Sequence, residues 1–107
     1  MRIMAIDYGD ARTGVAISDA TGLLAGFTTV IHGRKPEMVA AELARLAREH
    51  GVEELVLGLP RNMDGTEGPR AELCRAFAGQ VEAACGLTPV LWDERRTTVE
   101  AHSILHA

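Results

Sequence analysis

The sequence predicts one α/β domain in which a mixed β-sheet is flanked by helices. Three observations carry that expectation. Before residue 32 the chain holds three short apolar runs separated by tight polar turns, the mark of an antiparallel meander. From Pro36 the apolar spacing changes to the helical period. Two further apolar runs then alternate with a second helical stretch. Strands that follow helices in this way return parallel to the first strand through right-handed crossovers, with the helices lying over the sheet faces.

Taken in order, residues 2–7 read Arg-Ile-Met-Ala-Ile-Asp, a central strand covered on both faces and ended by an acid. Tyr8-Gly9-Asp10 is a turn. Residues 13–18 (Thr-Gly-Val-Ala-Ile-Ser) form a second strand, Asp19-Ala20-Thr21-Gly22 a second turn, and residues 23–31 a third strand. Met38, Val39, Leu43, Leu46 and Ala47 make the apolar stripe of a first helix. Pro36 and Glu37 suit its first turn, and Gly51 after His50 stops it. Glu42, Arg45 and Glu49 read as solvated pairs along this helix. Residues 55–59 are a fourth strand, and residues 60–69 a polar loop. A second helix runs from about Pro69 to Ala84, with Leu73, Phe77, Val81 and Ala84 on one stripe and Gly86 ending it. Val90-Leu91-Trp92 is a fifth strand. Thr97 or Thr98 caps a last helix, with Glu100 in its first turn.

The chain has 107 residues, the size of one domain that folds without a disulfide or metal. Hydrophobic residues are 47% but aromatic ones only 4%, so the core is expected from Leu, Val, Ile and Ala. Met1-Arg2 is followed by four apolar residues before Asp7, which predicts no signal peptide. No apolar run approaches the roughly 18 residues of a membrane span, so no membrane partner is expected. Cys74 and Cys85 fit neither a zinc knuckle nor a CxxC redox pair. They read as small core-filling thiols of a cytoplasmic protein. The net charge of -4 argues against coating nucleic acid by bulk electrostatics. It leaves room for acids that hold a metal ion, which in turn holds phosphate. Of eleven cationic residues only Lys35 is lysine, and arginine is the better bidentate phosphate ligand.

In such a sheet, ligands bind at the carboxyl ends of the parallel strands. Three segments converge there: Asp7-Tyr8-Gly9, Leu59-Pro60-Arg61-Asn62 and Asp93-Glu94-Arg95-Arg96. A carboxylate at the mouth of a core strand is costly unless it binds a metal, pairs with a cation or reaches water. For Asp7, capping the Tyr8-Gly9 turn explains the residue as well as a site does. Gly9 and Gly14 bracket a hairpin whose backbone can approach a phosphate closely. Glu94 joins Asp7 as an oxygen ligand for Mg²⁺ or Mn²⁺. In two-metal phosphodiester hydrolysis, ions roughly 3.5–4 Å apart activate water and steady the leaving oxygen. Arg95 or Arg96 then holds phosphate. An exposed turn with a local ion pair and a Thr cap is the alternative for this segment. In the polar loop, Arg61 and Asn62 are placed to meet phosphates or base edges, while Asp64-Gly65 and Gly68-Pro69 read as ordinary turns. His102 and His106 have a zinc-binding spacing but no third ligand in view, and read as helix surface.

These segments resemble one family. Residues 2–9 (Arg-Ile-Met-Ala-Ile-Asp-Tyr-Gly) with residues 12–19 (Arg-Thr-Gly-Val-Ala-Ile-Ser-Asp) look like the opening of the YqgF family. These are bacterial RNase H-like proteins related to the RuvC Holliday-junction resolvases. Gly58-Leu59-Pro60 with residues 62–68 (Asn-Met-Asp-Gly-Thr-Glu-Gly) resembles its second signature. Leu91-Trp92-Asp93-Glu94-Arg95 with Thr97-Thr98 resembles its third. The matches span nearly the whole chain in the right order.

The resemblance implies an RNase H-like fold with strand order 3-2-1-4-5. It also implies a cytoplasmic, metal-dependent nuclease that matures the 5′ end of precursor 16S ribosomal RNA. Asp7 matches the family's first-strand acid and Glu94 the acid after the fifth strand. RuvC-type resolvases carry a Glu at the end of the fourth strand. Here that strand ends in Gly58-Leu59-Pro60, so Glu94 substitutes from the neighbouring strand. The expected site is therefore Asp7 and Glu94 as catalytic, metal-binding acids. Gly9, Arg12, Arg61, Asn62, Arg95 and Arg96 are the expected nucleic-acid contacts. Family members usually continue into a helix bearing a third acid. The expectation for residues 1–107 is a single domain lacking that helix, with two of three carboxylates.

The expected partners are precursor rRNA or structured DNA, together with ribosomal particles, for a monomer or a homodimer. Alternatives are a resolvase acting on four-way DNA junctions and a catalytically silent RNA-binding domain. A nucleotide-binding module of the actin-hexokinase type also begins with Asp-x-Gly after a strand, but that fold needs a second, duplicated domain.

Overall fold

The computed structural model describes residues 1–19, 25–60 and 64–93. Its elements are β1 (Ile3–Asp7), β2 (Arg12–Ser18), β3 (Ala25–His32), α1 (Pro36–His50), β4 (Glu54–Leu59), α2 (Pro69–Cys85) and β5 (Val90–Asp93). The strands form one sheet in the order β3-β2-β1-β4-β5. β2 pairs antiparallel with β1 and with β3, while β4 pairs parallel with β1 and with β5. This is the mixed sheet, meander first and crossovers after, that the alternation of apolar runs predicts. The last helix expected beyond Thr97, with His102 and His106, lies outside the described residues. So does the turn segment 20–22 and the first part of the expected third strand.

Proline and glycine set the helix bounds. α1 starts at Pro36 and ends where Gly51 turns left-handed (φ 65°). The Gly51 N–H donates to the Arg48 carbonyl and the Val52 N–H to the Ala47 carbonyl, which satisfies two of the last-turn acceptors. α2 starts after Gly68 at Pro69 and ends at Gly86 (φ 76°), one residue later than the apolar stripe suggests.

Strand alternation divides the side chains between two faces. Met4, Ile6, Val15, Ile17, Leu55 and Leu57 form one face and pack beneath Val39, Leu43, Leu46, Phe77 and Val81 of the helices. Each large side chain buried here contributes about 1.5–3 kcal/mol. On the other face Ala5 and Ala16 pack together with Ile3. Cys74 is buried and Cys85 half-buried, both as free thiols, in keeping with core filling.

Three stripe assignments are corrected. Met38 is 64% exposed and Leu73 53% exposed. Ala84, also expected on the α2 stripe, is exposed. The residues that α2 buries are Ala71, Cys74, Phe77 and Val81. At about 100° per residue, Leu73 stands roughly 100° round the helix from Cys74, off the buried arc. Met38 is turned away from Val39 by the same step. Both positions are large and apolar, and size outweighed phase in the sequence pattern.

On the outer surface of α1, Arg45 donates from Nε to both Glu42 carboxylate oxygens (3.0 and 3.1 Å), and its Nη1 lies 2.8 Å from Glu49. These hydrogen bonds hold the Glu42 carboxyl below its usual range and the Arg45 guanidinium above its own. Among the described residues no helix is long and apolar enough to cross a membrane.

Candidate active site

β1 is the central strand, and it carries Asp7 to the sheet's carboxyl end. Ile6 pairs with Leu57 and Leu57 with Leu91, so Asp7 stands level with Gly58 and Trp92. Leu59 pairs with Asp93. The described parts of the three expected segments therefore meet at one end of the sheet. Neighbouring strands are about 4.8 Å apart, which puts β5 roughly 10 Å from β1.

Ile6 turns under the helices, so Asp7 projects from the opposite face, where it is exposed. Its cross-strand partner is Gly14. A Cβ at Gly14 would sit 3.7 Å from the Asp7 Cβ, so the glycine leaves that flank of the carboxylate open. Asp7, Gly14, Ala5, Ala16, Thr28 and Val30 line a shallow hollow of about 200 Å³. Among the described residues no cation pairs with Asp7 and no N–H donates to its carboxylate. The turn-capping role that the sequence allowed is thus not realised. The acid is held by its strand alone and faces water.

The turn after Asp7 is built around Gly9. A Cβ on Gly9 would lie 2.1 Å from the Arg12 carbonyl oxygen, a distance no side chain tolerates. The glycine is needed for chain closure, whatever it also allows a phosphate to do. Arg12 opens β2 on the same face as Gly14, opposite His32, and is exposed. No carboxylate among the described residues pairs with it.

Sequence reasoning missed Arg70. This first-turn residue of α2 reaches the β1–β2 turn: Nη1 lies 2.6 Å from Asp10 Oδ1, and Nη2 donates to the Tyr8 carbonyl. Its guanidinium carbon sits 5.3 Å from the Tyr8 ring centroid, and the other partner of that ring is Phe77, stacked at 3.9 Å. Burial pushes the Tyr8 hydroxyl up, with the Arg70 charge opposing. One signal was available. An arginine in the first turn of a helix opposes the helix dipole, so it needs another reason to be there.

Residues 64–67, before α2, make local contacts. Thr66 donates from its N–H (3.0 Å) and its hydroxyl (2.6 Å) to Asp64, around Gly65 at φ 92°. Arg75 grips Glu67 with two bonds of 2.7 Å. Arg61, Asn62, Glu94, Arg95 and Arg96 lie outside the described residues. Among the described residues no three His, Cys, Asp or Glu side chains gather as a ready-made metal cage.

A fold of this kind is found in enzymes of several classes. Comparison with known proteins separates them. The family model "RuvX: Holliday junction resolvase" matches residues 1–107. The chain belongs to the RuvX/YqgF family. Within this RuvX/YqgF assignment, a "Putative pre-16S rRNA nuclease" of Moorella thermoacetica is 50% identical over 105 residues, covering 98% of this chain and 75% of that protein. The protein of the same name from Pelotomaculum thermopropionicum is 48% identical over 106 residues, covering 98% and 69%. Among solved structures, Thermus thermophilus RuvC in complex with a Holliday junction substrate superposes with a TM-score of 0.63 at 13% identity, over 89% of this chain and 66% of that one. A ROK hexokinase from Thermus thermophilus has a TM-score of 0.58 at 23% identity, over 87% of this chain and 35% of that one. These structural likenesses concern the fold. The RuvX/YqgF membership rests on sequence and supports a nuclease acting on nucleic acid.

Proposed function

We propose that this chain hydrolyses phosphodiester bonds with the help of Mg²⁺ or Mn²⁺, and that its substrate is the 5′ end of precursor 16S rRNA on ribosomal particles in the cytoplasm. The observation that carries the reading is Asp7: an exposed carboxylate at the carboxyl end of the central strand, with no partner among the described residues and a glycine beside it. An unpaired carboxylate open to water is the hard oxygen donor these ions take, so the residue fits the ion. Asp7 and Glu94 would hold it. A bound divalent ion supplies activation of water and neutralisation of charge on the phosphoryl group.

The chain's own residues do the rest. Gly9 and Gly14 keep side chains clear of the Asp7 flank, so a nucleic-acid backbone can come close. Arg12, on the same face, offers a guanidinium to a phosphate, with Arg61, Asn62, Arg95 and Arg96 as further contacts. Arg70 is a positioning residue: it fixes the Tyr8–Asp10 turn that follows the acid.

The test is cleavage of a precursor 16S leader by the native full-length protein with Mn²⁺. Asp7→Asn is expected to lower the rate at least about 100-fold, the scale of losing one preorganised charge-stabilising group. Equal cleavage by both proteins overturns the assignment of Asp7.

A second reading, cleavage of four-way DNA junctions, is favoured by the family's own description. A junction-cleavage gel combined with sedimentation separates it, because symmetric cutting requires a homodimer. A monomer that leaves junctions intact removes it.

A further inference from the structure

We propose that the groove between the outer edge of β3 and α1 is a phosphate-binding track for single-stranded RNA, continuing the substrate path away from Asp7. The proposal rests on the nuclease reading above and names where that site's substrate runs.

Topology brings the groove to the site. β3 is two antiparallel steps from β1 and so runs parallel to it. Its carboxyl end, at His32, and the start of α1 therefore lie at the same sheet end as Asp7. His32 pairs with Arg12, and the Gly33 N–H donates to the Ala11 carbonyl (3.0 Å), tying the β3–α1 connection to the β1–β2 turn. The groove has a volume of about 730 Å³. That is within the roughly 300–1,000 Å³ of ordinary ligand sites. Thr29 and Val30 line both this groove and the hollow that holds Asp7, which lie on the two faces of the edge strand β3, so a strand leaving Asp7 would round that edge to enter the groove.

The chemistry selects the occupant. Arg12, Arg34 and Lys35 are exposed, and no carboxylate among the described residues pairs with them. In a chain of net charge -4 these cations are gathered at one end of the sheet. Arg45 also lines the groove, but Glu42 and Glu49 already neutralise it. Glu37, exposed in the first turn of α1, is the carboxylate next along the chain from Lys35. Lys35 occupies the N-cap position without a side-chain cap, so the first-turn amide of Glu37 stays open to an anion. Met38 is exposed in the first turn of α1 near these cations, and Phe27, against the His50 ring (4.5 Å), is exposed at the far end of the same groove. Cations for the backbone and apolar surfaces for bases along one groove are the combination that binds single strands.

The experiment is fluorescence anisotropy of a fluorescein-labelled single-stranded RNA of about 12 nucleotides. It uses the full-length protein in EDTA over a series of KCl concentrations. Arg34→Gln/Lys35→Gln is expected to weaken binding about tenfold near 0.1 M salt. It should also reduce the slope of log K against log[KCl] by about 1.4, at about 0.7 per phosphate contact. Arg2→Gln/Arg48→Gln makes the same charge change at the opposite end of the sheet and is expected to leave both quantities within about twofold. Urea midpoints of all proteins confirm folding.

Unchanged binding by Arg34→Gln/Lys35→Gln, or an equal loss in the opposite-end variant, overturns the track while leaving the nuclease reading intact. An equal loss of duplex binding overturns the single-strand assignment. If Arg34→Gln/Lys35→Gln loses RNA but Asp7→Asn still cleaves, the track stands and the assignment of Asp7 fails. A wild-type protein that neither binds nor cleaves RNA overturns both.

Discussion

Replacing Gly9 by alanine places a methyl group 2.1 Å from the Arg12 carbonyl oxygen. Carbon and carbonyl oxygen normally approach no closer than about 3.3 Å, so the overlap is more than about 1 Å. The obstructing atom is backbone and cannot rotate aside. The β1–β2 turn must open, and the Asp7–Gly14 end of the ladder must loosen with it. The left-handed glycines among the described residues are Gly51, Gly65 and Gly86, so Gly9 does not carry a special φ. Without the clash, Gly→Ala would gain about 0.4–1 kcal/mol through the unfolded state. Forcing a methyl into filled space costs about 1–3 kcal/mol, and more when backbone must give. A net loss of about 2–3 kcal/mol is expected for Gly9→Ala. Two comparisons sharpen it. A Cβ at Gly79, within α2, meets nothing within 4 Å, so Gly79→Ala should gain up to about 1 kcal/mol. Gly14→Ala makes ordinary contact with Asp7 and should change stability by less than about 1 kcal/mol while crowding the carboxylate. Urea denaturation followed by far-UV circular dichroism measures all three. A Gly9→Ala midpoint within about 0.5 kcal/mol of wild type refutes the steric reasoning.

Two further outcomes follow from contacts already described. Arg70→Ala removes a charged hydrogen bond to the half-buried Tyr8 carbonyl, worth about 1.5–3 kcal/mol, and should cost about 2 kcal/mol. Asp10 is 81% exposed, so Asp10→Ala should cost under about 1 kcal/mol. Equal costs in urea denaturation would assign the anchor to the ion pair instead. The Glu42 carboxyl is held below its ordinary value of 4.5 by its hydrogen bond from Arg45. The stability it contributes is present above that value and is lost as the pH falls through the lowered folded value. The pair is exposed and screened, so the contribution is at most about 0.5 kcal/mol. Glu42→Gln should flatten the stability–pH curve below about pH 4.5, and a variant curve parallel to wild type in that range excludes the effect.

The fold was legible where local chemistry decides it. Pro36 and Gly51 punctuate α1 by dihedral preference, and its bounds follow from the sequence alone. The antiparallel meander and the parallel returns followed from turn lengths and from the handedness of crossovers, while the strand order came with the family resemblance. The misplaced stripe residues, Met38, Leu73 and Ala84, are ones where apolar character and helical phase disagree, and phase decides burial. The place of Asp7 was legible, since an acid that ends a central apolar run falls at the carboxyl end of the sheet. Its freedom from the turn was not, since Asx capping and an open carboxylate share one sequence. Arg70 was hidden because its partners are sixty and more residues away, and a contact of that span leaves no periodicity. Gly9 stands out in the sequence for the room it leaves a phosphate, while its tight approach to the Arg12 carbonyl shows only in three dimensions.

α2 has a mechanical consequence for the site. Arg70 and Arg75 are little more than one turn apart on that helix. One is bonded to the turn behind Asp7, the other to Glu67 of the loop before the helix. Phe77, a little further on, is stacked against Tyr8 of the same turn. The turn after Asp7 and the end of the loop before α2 thus share one mounting. A load on either is carried by the same helix, and any tilt of that helix moves both together.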